Sequence, residues 1–131
     1  MLEGTCHCGA VVWHLNARPQ SITACNCTVC RRYGVLWAYG HIGHDIHVEG
    51  KTASYRRKDG GDIDFHFCAT CASVTHYVGR IADRHGRYRT AVNMRLTDPD
   101  GIAGLPIRHF DGLDTFNELP RDGRTVRDMW F

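Results

Sequence analysis

Apolar and polar positions alternate over short stretches of this chain, and a period of two marks half-buried β-strands rather than amphipathic helices. Residues 10–15, 21–24, 35–41, 45–49, 53–57, 62–67, 73–78 and 88–94 read as strands, several of them carrying β-branched or aromatic residues. Gly40, Gly43, Gly50 and the Gly60-Gly61 pair separate them and mark turns. Only two stretches open like helices. Residues 28–33 are stopped by Gly34, and Asp98-Pro99-Asp100 offers a capping carboxylate followed by proline at the first helical position. Neither exceeds two turns, so the pattern predicts a mainly β, mostly antiparallel domain. Beyond Asp111 the chain is polar up to Trp130-Phe131 and is expected to pack along the surface or fray.

Length and composition narrow the class. At roughly 100 to 200 residues per domain, 131 residues allow one domain and no second. Apolar residues make up 43% and charged residues 23%, the balance of a folded globular chain and not of a disordered one. A formal charge of +2 gives no strong steering toward nucleic acid. Apolar runs such as Val35-Leu36-Trp37-Ala38-Tyr39 fall far short of the roughly 18 residues of a membrane span. The first residues lack the basic start and apolar core of a secretory signal, so a cytoplasmic location is expected.

Seven cysteines change the picture, because an odd number cannot all pair as disulfides within one chain. They fall as Cys6-x-Cys8, Cys25-x-Cys27-x2-Cys30 and Cys68-x2-Cys71, three tight knuckles with long spacers between them. Thiolates two or three positions apart on a tight turn converge on one tetrahedral ion, and two such turns supply the four sulfurs of a closed zinc site. Seven then divides as four plus three.

The knuckles carry a resemblance. Thr5-Cys6-His7-Cys8-Gly9-Ala10-Val11, the stretch from Cys25 to Gly34, and Phe67-Cys68-Ala69-Thr70-Cys71 resemble the glutathione-dependent formaldehyde-activating enzyme family, which shares a domain with centromere protein V. Residues 91–96 and 106–111 look like the closing strands of that family, and the resemblance covers about residues 3–111. It implies a small antiparallel β domain of the β-tent type over residues 3–111, stapled by zinc knuckles, with 112–131 as a tail. It also implies two zinc ions: a closed structural site of Cys6, Cys8, Cys68 and Cys71, and a second, catalytic one held by Cys25, Cys27 and Cys30. One departure stands out, Ala72 in place of a glycine just after the last cysteine.

The residues leave alternatives beside each reading. Cys6 and Cys8 are loose terminal thiols if they bind no metal, and the three-cysteine site is structural if a histidine closes it. An open site binds a substrate thiol as its thiolate, because the metal lowers the thiol's pKa. Arg31, beside the last ligand, and Arg32 could fork onto a carboxylate of that thiol, although an exposed arginine is more often a solvated charge. His41, His44 and His47 sit three apart, so a strand turns successive ones to opposite faces; they read as ordinary histidines, as do His66 and His76. His109 matches a recurrent family position without metal-ligand spacing. Trp37 and Tyr39 read as core, and Arg56-Arg57-Lys58 as a solvated hairpin tip.

Three function classes follow. The resemblance implies a zinc-dependent carbon–sulfur lyase that makes or cleaves a glutathione-like thiol adduct of formaldehyde or a related carbonyl. The second is a zinc-stabilised module that binds nucleic acid, against which the modest charge argues. The third is a small scaffold for a protein partner. Exposed β edges make a homodimer reasonable.

Overall fold

In a computed structural model, which describes residues 1–130, ten strands build two sheets. The smaller sheet joins β1 (Leu2–Thr5), β2 (Val12–Leu15) and β5 (Ile46–Glu49) in the order β1-β2-β5. The larger contains β3 (Ile22–Cys25), β4 (Trp37–His41), β6 (Thr52–Arg56), β7 (Ile63–Cys68), β8 (Val74–Ala82), β9 (Tyr88–Asn93) and β10 (Ile107–Phe110). Its order is β10-β3-β4-β9-β8-β7-β6. The helices are single turns, α1 (Cys30–Tyr33) and α2 (Pro99–Ile102), with 3-10 turns at Met94–Leu96 and Val126–Met129. No helix among the described residues is long and apolar enough to cross a membrane.

All eight stretches with strand periodicity are strands, with ends trimmed or extended by a few residues. Two strands lie outside them. β1 pairs with β2 in the register Gly4↔Trp13, and a Cβ at Gly4 would fall inside the Trp13 ring, so glycine lets the fully buried indole lie flat against the neighbouring strand. The second is β10, and it departs from the antiparallel expectation. It runs parallel to β3, with Ile107↔Ile22 at one end and Phe110↔Cys25 at the other. Strands that run in the same direction end at the same edge, which brings the chain after Phe110 beside the first cysteine of the middle knuckle.

The main core lies between the sheets, where Trp13, Ile22, Leu36, Ile46, Met94, Ile102 and Ile107 are fully buried. Each such side chain contributes roughly 1.5–3 kcal/mol on leaving water. Val126, in the segment after Asp111, is buried in the same cluster, Thr125 bridges to Pro106, and Glu118 bridges to Phe110. Phe131 lies outside the described residues. At α2 the Asp98 side chain accepts from the Asp100 amide and Pro99 opens the turn. Ala72 takes a left-handed backbone, φ 63°, where its Cβ is unfavourable. Four of the seven cysteines, Cys6, Cys27, Cys30 and Cys68, are buried, whereas Cys8 is exposed. Cys27 and Cys30 pack with Trp37, Phe65 and Tyr77, and Cys6 and Cys68 pack with Val11.

Candidate metal centres and the pocket beside them

Cys6, Cys8, Cys68 and Cys71 come together from the two ends of the sequence pattern, with sulfurs that all lie within 4.8 Å of one another. Two tight turns deliver them: the Gly9 amide closes onto the Cys6 carbonyl at 3.0 Å, and the Ala72 amide onto the Cys68 carbonyl at 3.0 Å. The Cys6–Cys8 and Cys8–Cys68 sulfurs are each 3.7 Å apart. Metal–sulfur bonds of roughly 2.3 Å in a tetrahedron put neighbouring sulfurs about 3.8 Å apart, so the donor set fits a closed four-thiolate ion. Amides also point at these sulfurs, Val11 at Cys6 (3.2 Å), and Thr70 and Cys71 at Cys68 (3.4 and 3.5 Å). Those amides hold the Cys68 thiol below its ordinary pKa. The Ser73 hydroxyl and amide bring Cys71 down to about 5. Donors aimed at sulfur stabilise the thiolate, the form that binds metal.

Cys25, Cys27 and Cys30 form the second group, again within 4.8 Å. Cys25 ends β3 and Cys30 opens α1, so a strand end and a helical turn present the three sulfurs to one point. The Cys30 amide lies 3.3 Å from the Cys27 sulfur, and the Trp37 indole N–H donates to Cys30 Sγ at 3.3 Å. The Cys25 and Cys30 thiols donate to Cys27 and, with the amides of Cys30 and Val29, lower it to about 2. The neighbouring sulfurs and burial push Cys30 up, and Cys27 beside it does the same to Cys25. The three sulfurs thus favour a thiolate at Cys27 and oppose ionisation of its two neighbours, an opposition that a bound cation would offset. No fourth His, Cys, Asp or Glu joins this group among the described residues. Three thiolates with no further protein ligand fit an ion that keeps an exchangeable position.

A cavity of about 430 Å³ opens on this trio. Trp37, Phe65 and Tyr77 line its buried floor, and Tyr39, Phe110 and Phe116 its sides. Arg57, Arg89 and Arg108 stand around it, drawn from the end of β6, from β9 and from β10. Arg57 is engaged by both oxygens of Asp59, at 2.8 and 2.7 Å, and reaches the Thr28 hydroxyl at 3.2 Å. Arg108 faces Glu118 at 3.4 Å. Arg89 lies 4.6 Å over the Tyr39 ring and pairs with no carboxylate among the described residues.

The segment after β10 closes one side. Gly112 lies so near the cluster that a Cβ there would stand 2.6 Å from Cys25 Sγ and 3.1 Å from Cys27 Cβ. Asp111 holds the turn. Its carboxylate accepts from the amides of Leu113, Asp114 and Thr115, from the Thr115 hydroxyl, and at 3.1 Å from Asn26, the residue between Cys25 and Cys27. Asn26 in turn accepts from the Leu113 amide at 3.0 Å. These donors keep the Asp111 carboxyl well below the usual carboxylate range.

Several residues stand elsewhere than their sequence neighbours suggest. Arg31 is exposed and outside the cavity lining, because α1 turns the side chain after Cys30 to solvent; the arginines that line the cavity are Arg57, Arg89 and Arg108. Arg57 is therefore more than a solvated hairpin charge. Arg32 bonds the Thr28 carbonyl. Trp37 is core and cavity floor at once. His109 meets Asp122 at 3.1 Å rather than the cysteines, and His41 meets Asp45 at 3.1 Å. Gly112 and Phe116 carried no sequence signal, and Asp111 only its place in the family-like stretch 106–111, since it is the parallel β10–β3 pairing that brings them to the cluster.

The chain is similar over 81% of its length to a Rhodobacter sphaeroides protein of known crystal structure, which is covered to 99%, with a TM-score of 0.60 and 27% identity. A Halomonas elongata protein, provisionally named a glutathione-dependent formaldehyde-activating enzyme, is 31% identical over 56% of this chain and 54% of its own. The chain thus spans about half the length of that curated relative. The sequence profile of the glutathione-dependent formaldehyde-activating enzyme family matches residues 1–100, and the chain belongs to that family.

Proposed function

We propose that the chain is a zinc-dependent enzyme of the carbon–sulfur lyase type, which makes or cleaves the adduct of a glutathione-like thiol with formaldehyde or a related carbonyl. The three-thiolate cluster that opens on a cavity, with no fourth protein ligand among the described residues, carries this reading. Zinc held there would take a substrate sulfur at its exchangeable position and lower the thiol's pKa, supplying a nucleophile at neutral pH. The first cluster would hold a second zinc for the fold alone, since four thiolates leave no position free.

The chemistry balances without a redox partner. The thiol's S–H adds across C=O: a carbon–sulfur bond forms, the carbonyl π pair moves to oxygen, and the proton ends there as a hydroxyl. Cleavage reverses each step. Burial pushes the Tyr39 and Tyr77 phenols up, so both remain neutral donors beside the cluster, suited to the oxyanion as it develops. Arg89, with no carboxylate of its own, supports the binding of an anionic thiol at the mouth. The test is acceleration of glutathione–formaldehyde exchange, followed by NMR line shape or exchange spectroscopy, in wild type and Cys27→Ser. Exchange accelerated by wild type and not by the variant is expected; equal rates in both would remove the catalytic assignment.

A further inference from the structure

The cavity is far larger than formaldehyde requires. At about 430 Å³ it lies within the roughly 300–1,000 Å³ of sites that enclose drug-sized ligands. A one-carbon aldehyde occupies space on the order of a water molecule or two, about 30 Å³ each. A thiol peptide would fill part of the remainder, but polarity in the cavity is arranged by depth. Trp37, Phe65 and Tyr77 on the floor are 1%, 4% and 6% exposed, whereas Arg57, Arg89 and Arg108 are half-buried or exposed. Carboxylates of the thiol therefore have their partners at the mouth, and an apolar chamber remains next to the sulfur.

Phe116 points the same way. It is 69% exposed and holds a left-handed backbone, φ 57°, two unfavourable features for a phenylalanine, yet it lines this cavity with its ring 5.9 Å from Phe110. Strain of this kind persists where the surroundings over-determine it, and here the five bonds to Asp111 do so. Phe116 lies beyond residues 1–100, the part matched by the family profile.

We propose that the chamber takes the thiol adduct of an aldehyde that carries an apolar substituent about the size of a phenyl ring, with Phe116 as the residue that selects it. This rests on the three-cysteine cluster being a thiol-binding metal site. The substituent sits one bond from the carbon that bonds to sulfur, and an aromatic wall beside the cluster gives it the offset or edge contacts that rings prefer. Addition and cleavage are unchanged: S–H across C=O and back, with no oxidant or reductant.

The test uses the zinc-loaded full chain and two stable thioether mimics of the adducts, S-methylglutathione and S-benzylglutathione, titrated by calorimetry. Burying the extra ring predicts that the benzyl compound binds about tenfold or more tightly than the methyl one. Phe116→Ala, at a mostly exposed position that threatens no core, should bring the ratio down toward one. Equal affinities in wild type, or a preference that survives Phe116→Ala, would overturn the proposal. Glutathione alone, titrated into the cobalt-substituted protein, separates the two levels. A silent spectrum means that the thiol reading fails, and glutathione binding with equal thioether affinities means that only the chamber assignment fails.

Discussion

Gly112→Ala is the substitution whose consequence the structure specifies most closely. The backbone at Gly112 is outside the left-handed region, so alanine costs nothing in φ; the whole effect is space. Its Cβ would stand 2.6 Å from Cys25 Sγ, against an ordinary carbon contact of roughly 3.5–4.0 Å, a shortfall of about 1 Å. The Gly112 turn cannot retreat freely, because Asp111 binds it to Asn26 and to the amides that follow. Cys25 must then swing out of the trio. Overpacking by one methyl costs about 1–3 kcal/mol, which is about 5- to 150-fold in metal affinity at the second site if the strain is relieved when Cys25 leaves the metal. Titration against a competing chelator would resolve the two sites, and the first should keep its wild-type affinity. Gly104→Ala is the control, since a Cβ there meets nothing within 4 Å. If Gly112→Ala held both metals as tightly as wild type, the placement of this turn against the cluster would be wrong.

Cys68→Ser should release the metal from the four-cysteine site and destabilise the domain by several kcal/mol, on the order of the folding energy that structural zinc supplies, read as loss of the cooperative thermal transition in circular dichroism. Ala72→Gly should stabilise by about 0.5–1 kcal/mol in denaturant unfolding, because relief of a left-handed alanine, worth about 1–2 kcal/mol, outweighs the added freedom of glycine in the unfolded chain. Asp111→Ala should free residues 112–116 and speed chymotryptic cleavage after Phe116. For the same carboxylate in wild type the sign is that of a depressed acid. Its bonds are fully present above the unfolded value of about 3.9 and are lost as pH falls through the lower folded value, so protection of the 112–116 amides, read by hydrogen exchange relative to the unfolded rate, should be level from pH 7 to about 4 and fail only in stronger acid.

Alternation made strands legible where one face is buried, as in β2, where Trp13 and Leu15 point inward, whereas β6 buries no residue and was marked by the turns that flank it. β1 was not legible: Leu2-Glu3-Gly4-Thr5 is a poor strand by propensity, and its glycine makes sense only beneath the Trp13 ring. The cysteine groups were readable because thiolate spacing on a turn is a local property, and tight turns at Cys6–Gly9 and Cys68–Ala72 bring the sulfurs together. The pocket was not readable, since Arg57, Arg89 and Arg108 meet only through long-range strand pairing. Adjacency misled at Arg31, because neighbours on a helical turn face different directions. The parallel docking of β10 on β3 joins Phe110 to Cys25 across most of the chain, and no local pattern announces such a contact.

The central claim is that the second cluster is a metal site with a position free for a substrate thiol. Cobalt placed in that site, with zinc retained in the first, gives thiolate-to-metal absorption that reports the number of sulfurs bound. Glutathione should raise and shift that absorption as a fourth sulfur enters, with saturation, and Cys27→Ser should show neither the cobalt band nor the response. A cobalt spectrum that shows four protein ligands before any thiol is added, and does not change when glutathione is supplied in excess, would contradict the claim.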